Sequence, residues 1–193
     1  GDCLTVGVEE GCDLKGRGGF SRLVTAGTAG PIRFELYYRE SPTERPITYE
    51  LSIGLDRNKR PVVERERLRQ RRLRQKTGRP YSFLNLENGR GEVWAGEDGV
   101  EGEDDKKVSV ELTDARHLGI TTYGALKEHP RISRFRAFLQ GWYLSYFTPD
   151  AARGLTVSGP QKHLDVHGDN IGNVVQFMER QHKVRFNRIL ARI

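Results

Sequence analysis

Long apolar runs are missing from this chain: nowhere does it offer the roughly 20 consecutive apolar residues that span a bilayer. Its opening, GDCLTVGVEEG, lacks the basic stretch and apolar core of a secretory signal. Cysteine is nearly absent. Cys3 and Cys12 are the only two, too few for a disulfide framework and spaced unlike zinc ligands. They read as buried or free thiols, and the expected compartment is the cytoplasm. Local signatures of catalysis are missing as well. The glycine-rich pieces KGRGGF and AGTAGP carry no following Lys-Ser or Lys-Thr, so they read as loops rather than phosphate cradles. No strand of four apolar residues ends in paired Asp-Glu, the usual holder of Mg²⁺ and an attacking water. Neither cysteine has a neighbouring histidine, and no serine sits in a GxSxG elbow. No complete active site is legible, so the chain by itself is expected to bind or support rather than to catalyse.

What the sequence does hold is charge. Charged residues make up 30% of 193 and hydrophobic ones 36%, a lean core under an ample polar surface, which still fits a globular domain. The net charge of +6 makes polyanions candidate partners, because Lys and Arg release counterions from phosphates. The distribution says more than the total. Residues 57–79 hold eleven Lys/Arg against Glu64 and Glu66, whereas 97–105 hold six Asp/Glu and no base. Within the first run, Arg65, Arg67, Arg69, Arg71, Arg72, Arg74 and Lys76 are candidate phosphate contacts, with Tyr81 or Trp94 nearby for stacking. The competing reading is a solvated basic face, or one neutralised by GEDGVEGEDD on a neighbouring hairpin.

One further cluster has the residue types for chemistry. HLDVHGD places His163, Asp165, His167 and Asp169 at alternate positions, so on a strand all four share one side. Two imidazoles and two carboxylates are candidate ligands for Zn²⁺ or Mn²⁺. Such groups serve more commonly as caps and surface polar residues, and Asp169 has a ready role as an N-cap.

The hydrophobic period organises the rest. The first thirty residues read as an irregular lead-in with a short helical piece, punctuated by glycines. PIRFELYYR and ITYELSIGL then alternate apolar and polar residues and pair as an antiparallel hairpin with a long loop. VVERERL is a third strand, expected nearer an edge because of its charge. YSFLNL and EVWA flank Asn88-Gly89, a pair suited to a type I′ turn, and VSVELT closes the series. After Pro130, Ile132, Phe135, Phe138, Leu139 and Trp142 fall at helical spacing, with Arg131, Arg134 and Arg136 mostly off the stripe. WYLSYF reads as a short strand. Asp169 or Asn170 is placed to cap a helix with Ile171, Val174, Val175 and Met178 on one face. Phe186, Ile189, Leu190 and Ile193 mark a last helix with no stop signal, as if the chain ended in mid-element.

These segments carry a resemblance in their order: RGGFSRLVTAG, PIRFELYY, YELSIGL, VVERERL, FRAFLQGWYLSYFTPD, GDNIGNVVQFM and RFNRIL. So ordered, the chain is similar to a bacterial family of ATPases with SMC/RecF-type, ABC-like heads, often labelled AAA-type ATP-binding proteins. The resemblance implies a phosphate-binding loop upstream of the Arg-Gly-Gly segment. It also implies a signature motif and an acidic strand downstream of the Gly-Asp-Asn helix. ATP and Mg²⁺ would belong to the parent protein, whose heads dimerise around nucleotide and act with nucleic acid or a partner protein. No family catalytic residue falls within 1–193. By analogy alone, Arg17, Arg22 or Gly27–Gly30 line a composite nucleotide site, while His163 and His167 lie outside the family pattern.

The expected fold is α+β: an antiparallel meander of five to six strands followed by a helical lobe. A single domain spans 1–193, mainly sheet over 1–113 and mainly helical over 114–193, as part of a larger head. Two other functions stay open: a stand-alone nucleic-acid-binding module using 57–79, and a ligand-free interaction domain.

Overall fold

A computed structural model of the chain describes residues 2–28, 30–72, 75–96, 106–142, 150, 153 and 159–192. Six strands form one sheet in the order β1-β2-β3-β4-β5-β6: Ile32–Tyr38, Ile47–Leu55, Pro61–Gln70, Tyr81–Glu87, Arg90–Trp94 and Lys107–Glu111. Every neighbouring pair is antiparallel, so the sheet is the expected meander and the fold class is α+β. The chain divides into two compact units, Gly1–Gly141 and Trp142–Ile193. Residues 114–141 therefore lie in the unit of the sheet.

Alternation decides the faces. Along β2, Ile47, Tyr49, Leu51 and Ile53 are buried, while Glu50 and Ser52 on the opposite face are half-buried. The charged strand β3 lies inside the sheet, between β2 and β4, not near an edge as its composition implied. Its arginines point to the far face, where β2 and β4 supply carboxylates, and its inward phase carries Leu68 and Glu66. The register of β3 against β2 slips between Ser52 and Ile53, which leaves Glu64 as the extra residue of a bulge. At the tight end of β4 and β5, Asn88 (φ 49°) and Gly89 (φ 78°) both take positive φ, as the type I′ turn requires.

Gly91 follows that turn, and a Cβ there would stand 2.0 Å from the Asn85 carbonyl oxygen of the paired strand. Backbone cannot swing away as a side chain can. Gly91→Ala is expected to cost about 1–3 kcal/mol, read as a lower urea midpoint with an unchanged slope.

The lead-in is more helical than its glycines implied. Helix α1 spans Asp2–Asp13 and α2 spans Phe20–Leu23. Leu4, Val8 and Cys12 recur every fourth residue and are buried, which ties α1 to the sheet unit's core. Gly7 breaks α1 into two pieces (φ 85°, ψ 176°), and at the break the Val8 N–H donates to the Arg116 carbonyl at 2.9 Å. Arg116 also reaches Glu9 and Asp114, both at part-buried positions. Those hydrogen bonds push the Asp114 carboxyl down to about 2.

Two helices follow the sheet in the same unit, α3 (Gly119–Tyr123) and α4 (Pro130–Gln140). Pro130 opens α4 where its missing N–H costs nothing. Ile132, Phe135 and Leu139 of α4 enter the core and Phe138 is half-buried, but Trp142 is 53% exposed. Arg131, expected off the stripe, is buried instead, under the Phe83 and Tyr81 rings.

The second unit contains α5 (Ile171–Gln181) and α6 (Lys183–Leu190), with His182 (φ −139°) breaking the helix between them. Their expected apolar faces are only half covered, with Val175, Ile189 and Leu190 exposed. Asn170 takes the N-cap position of α5, yet its side chain turns back rather than capping. Its Oδ1 accepts the Asp165 N–H at 2.8 Å, and its Nδ2 donates to the His163 carbonyl at 2.9 Å and to Gln161. All of the expected WYLSYF strand but Trp142, the acidic segment 97–105, Arg74 and Ile193 lie outside the described residues. Among the described residues, no helix is long and apolar enough to cross a membrane.

Candidate functional site

The basic run of 57–79 divides into two parts in space. Arg65, Arg67 and Arg69 sit on the outer face of β3, and each meets a carboxylate. Arg67 donates through Nε to Glu50 at 2.9 Å, and Arg69 donates to the other oxygen of Glu50. Arg65 lies 3.8 Å from Glu87. Further along the same face, Lys107 pairs with Glu92 at 2.6 Å and Arg90 with Glu111 at 2.8 Å. The outer face is a ladder of cross-strand ion pairs, nearly balanced in charge. Among the described residues, neutralisation of these arginines comes from neighbouring strands; the acidic segment 97–105 lies outside the described residues.

Beyond Gln70 the pattern changes. Arg71, Lys76 and Arg79 belong to the loop between β3 and β4, and among the described residues none of the three meets a carboxylate. Gln75 braces this loop: its Oε1 accepts the Arg72 N–H at 3.1 Å and its Nε2 donates to the Arg79 carbonyl at 2.9 Å. The Arg72 guanidinium lies 4.4 Å from the Tyr81 ring centre and 5.2 Å from that of Trp94. Tyr81 and Trp94 meet edge to face at 5.8 Å. The two aromatics the sequence offered for stacking are thus brought together, with an arginine already on them.

The nucleotide-facing candidates are placed differently. Arg17 is held by Asp2 at 2.5 Å and by the Gly11 carbonyl at 2.7 Å. Arg22 is exposed and lies against Gly18. A cleft of about 400 Å³ opens beside the glycine-rich loop, lined by Ser21, Thr28, Gly30 and Pro31 on one side and Gly54 and Glu64 on the other. Among the described lining residues the charged group is a carboxylate: Glu64 lies over the bare backbone of Gly54 and accepts from Ser52 Oγ at 3.1 Å. Among the described lining residues Glu64 has no cation beside it, an arrangement that repels a triphosphate.

His163, Asp165, His167 and Asp169 are all exposed in the loop folded onto the first turn of α5 by Asn170 and Asn173. The alternate spacing does not become a strand face, and among the described residues no group of three or more His, Cys, Asp or Glu is placed to hold a metal.

The residue that sequence reasoning missed is Glu66. It is fully buried, and its carboxylate is bound by three donors: the Tyr49 hydroxyl at 3.1 Å, the Ile120 N–H at 3.0 Å and the Gly119 N–H at 2.5 Å. Burial pushes its carboxyl up to about 7, although the hydrogen bonds from Ile120, Gly119 and Tyr49 pull the other way. Tyr49 is in turn pushed well above the ordinary tyrosine range, first by burial and then by the adjacent carboxylate. A signal was present: Glu66 shares the inward phase of β3 with Leu68, but it stood among arginines and entered only the charge count of the run.

No family model, curated protein or solved structure matches the chain.

Proposed function

We propose that this chain is the scaffold interior of an SMC/RecF-like ATP-binding and hydrolysing head, inactive in catalysis by itself. The observation that carries this reading is the arrangement of the segments on which the resemblance rests. PIRFELYY, YELSIGL and VVERERL supply three consecutive antiparallel strands, β1 to β3. GDNIGNVVQFM supplies a loop-to-helix joint secured by the Asn170 side chain. An antiparallel sheet followed by helices is the order of elements that the resemblance implies for such a scaffold.

ATP and Mg²⁺ enter this reading only through other parts of the head. Among its described lining residues the cleft beside the glycine-rich loop carries Glu64 and no cation, and no step of hydrolysis is assigned to residues of this chain. The remaining head segments are its first partners, a head-to-head dimer is the implied assembly, and the cytoplasm is the implied compartment.

Calorimetric titration with MgATP tests the proposal. The chain of 193 residues should give no binding heat. A longer product of the same reading frame, carrying GxxxxGKS upstream and a strand ending in Asp-Glu downstream, should bind at micromolar concentration. Binding by the short chain alone would sink the reading, as would a flanking frame without those two motifs.

A further inference from the structure

The two thiols have no part in the scaffold role, yet the fold brings them together. An unbroken helix would hold Cys3 and Gly11 about 12 Å apart along its axis. The break at Gly7 instead turns the second half of α1 back against the first. A Cβ at Gly11 would stand 2.6 Å from Cys3 Sγ and 3.2 Å from Cys3 Cα. The Cys3 sulfur therefore fills the space that a side chain at position 11 would need, one residue before Cys12. Arg17 clasps the two halves in this arrangement, donating to the Asp2 carboxylate of the first and to the Gly11 carbonyl of the second. Cys12 lies in the core of the sheet unit, and Cys3 packs against that core from a half-buried position. We infer that Cys3 and Cys12 are a reversible redox site: they close to a disulfide by exchange with a small-molecule disulfide such as oxidised glutathione, fastening the two halves of α1 together.

The exchange balances with the two thiols and one small disulfide. Cys3, the more accessible of the two, attacks one sulfur of the small disulfide as its thiolate, forms a mixed disulfide and releases one small thiol. Cys12 then attacks Cys3 Sγ and releases the second. The two protein protons end on the two released thiols, and two electrons pass from the protein sulfurs to the small disulfide. Burial pushes both thiols up, and the Cys3 sulfur adds to this at Cys12, while the Arg17 guanidinium pulls both the other way. Exchange therefore gains speed at mildly alkaline pH. A reducing compartment reopens such a bond, as a redox-responsive pair requires.

The test is incubation of the folded chain with a fixed ratio of oxidised to reduced glutathione, followed by acid quenching, alkylation and mass spectrometry. A monomer lighter by two hydrogens, restored by dithiothreitol, is expected. The tryptic peptide Gly1–Lys15 should carry the loss, and cleavage after Glu9 or Glu10 should leave two pieces joined until reduction. The equilibrium constant for closure should be at least about tenfold larger for the folded chain than in concentrated urea, where the unfolded chain must close the loop unaided. Cys12→Ser, folded by circular dichroism, should stop with one glutathione on Cys3. Where that variant does not fold, the wild-type comparison in urea decides. No loss of hydrogens under excess oxidised glutathione overturns the proposal, as do equal closure constants in buffer and urea. So do disulfides that only join two chains, or a folded Cys12→Ser variant that takes up no glutathione.

Discussion

Replacing Glu66 with alanine is expected to lower the stability of the sheet unit by about 4 kcal/mol, enough to bring its thermal midpoint down by roughly 10 °C. The reason is the set of donors left behind. Without the carboxylate, the Tyr49 hydroxyl and the Gly119 and Ile120 N–H groups have no acceptor at a position closed to solvent. Each stranded donor costs about 1–3 kcal/mol, and part of the total is recovered by local relaxation. Gln at this position keeps a carbonyl acceptor but cannot ionise, so it separates hydrogen bonding from charge.

The pH dependence follows from the same residue. The folded-state value near 7 lies above the ordinary carboxyl value, so between the two the folded chain binds a proton more tightly than the unfolded chain. Protonation therefore favours folding. The contribution is fully present at low pH and is lost as pH rises from about 4.5 to 7, by roughly 3 kcal/mol in all. Urea melts of wild type and Glu66→Gln across this window should diverge in slope, the wild type falling and the variant flat relative to it. Parallel curves would mean that Glu66 titrates like a solvent-exposed carboxyl.

Phe135→Ala is expected to have a comparable effect, about 3–5 kcal/mol. Phe135 of α4 is fully buried, with ring centres of Tyr49 at 5.1 Å, Tyr38 at 5.7 Å and Phe138 at 6.4 Å. Truncation opens a cavity between helix and sheet that these rings fill only in part. Because Phe135 packs on the ring whose hydroxyl serves Glu66, Phe135→Ala and Tyr49→Phe should be non-additive. A double-mutant cycle by urea unfolding measures this, and strict additivity would place the two residues in independent parts of the core.

Much of the architecture was legible because it rests on local period and turn chemistry. The alternation in PIRFELYYR and ITYELSIGL, the Asn88-Gly89 turn and the stripe after Pro130 each express a geometry that the backbone imposes within a few residues. Long-range pairing was not legible. Composition put β3 near an edge, but the carboxylates that let its arginines lie inside the sheet come from Glu50, 17 residues before Arg67, and from Glu87. The helix α1 gave little local sign of itself, since Gly7 and Gly11 weaken its propensity and burial of Leu4, Val8 and Cys12 compensates.

For function, the sequence alone showed that the chain's basic residues are concentrated in one run. Tertiary structure decided what that run means. It balanced Arg65, Arg67 and Arg69 against neighbouring strands and left Arg71, Lys76 and Arg79 at a loop beside two aromatic rings. It also took Glu66 out of the run and made it the anchor of α3. Charge counts along a chain record which ions are present, whereas the strand register decides which of them meet.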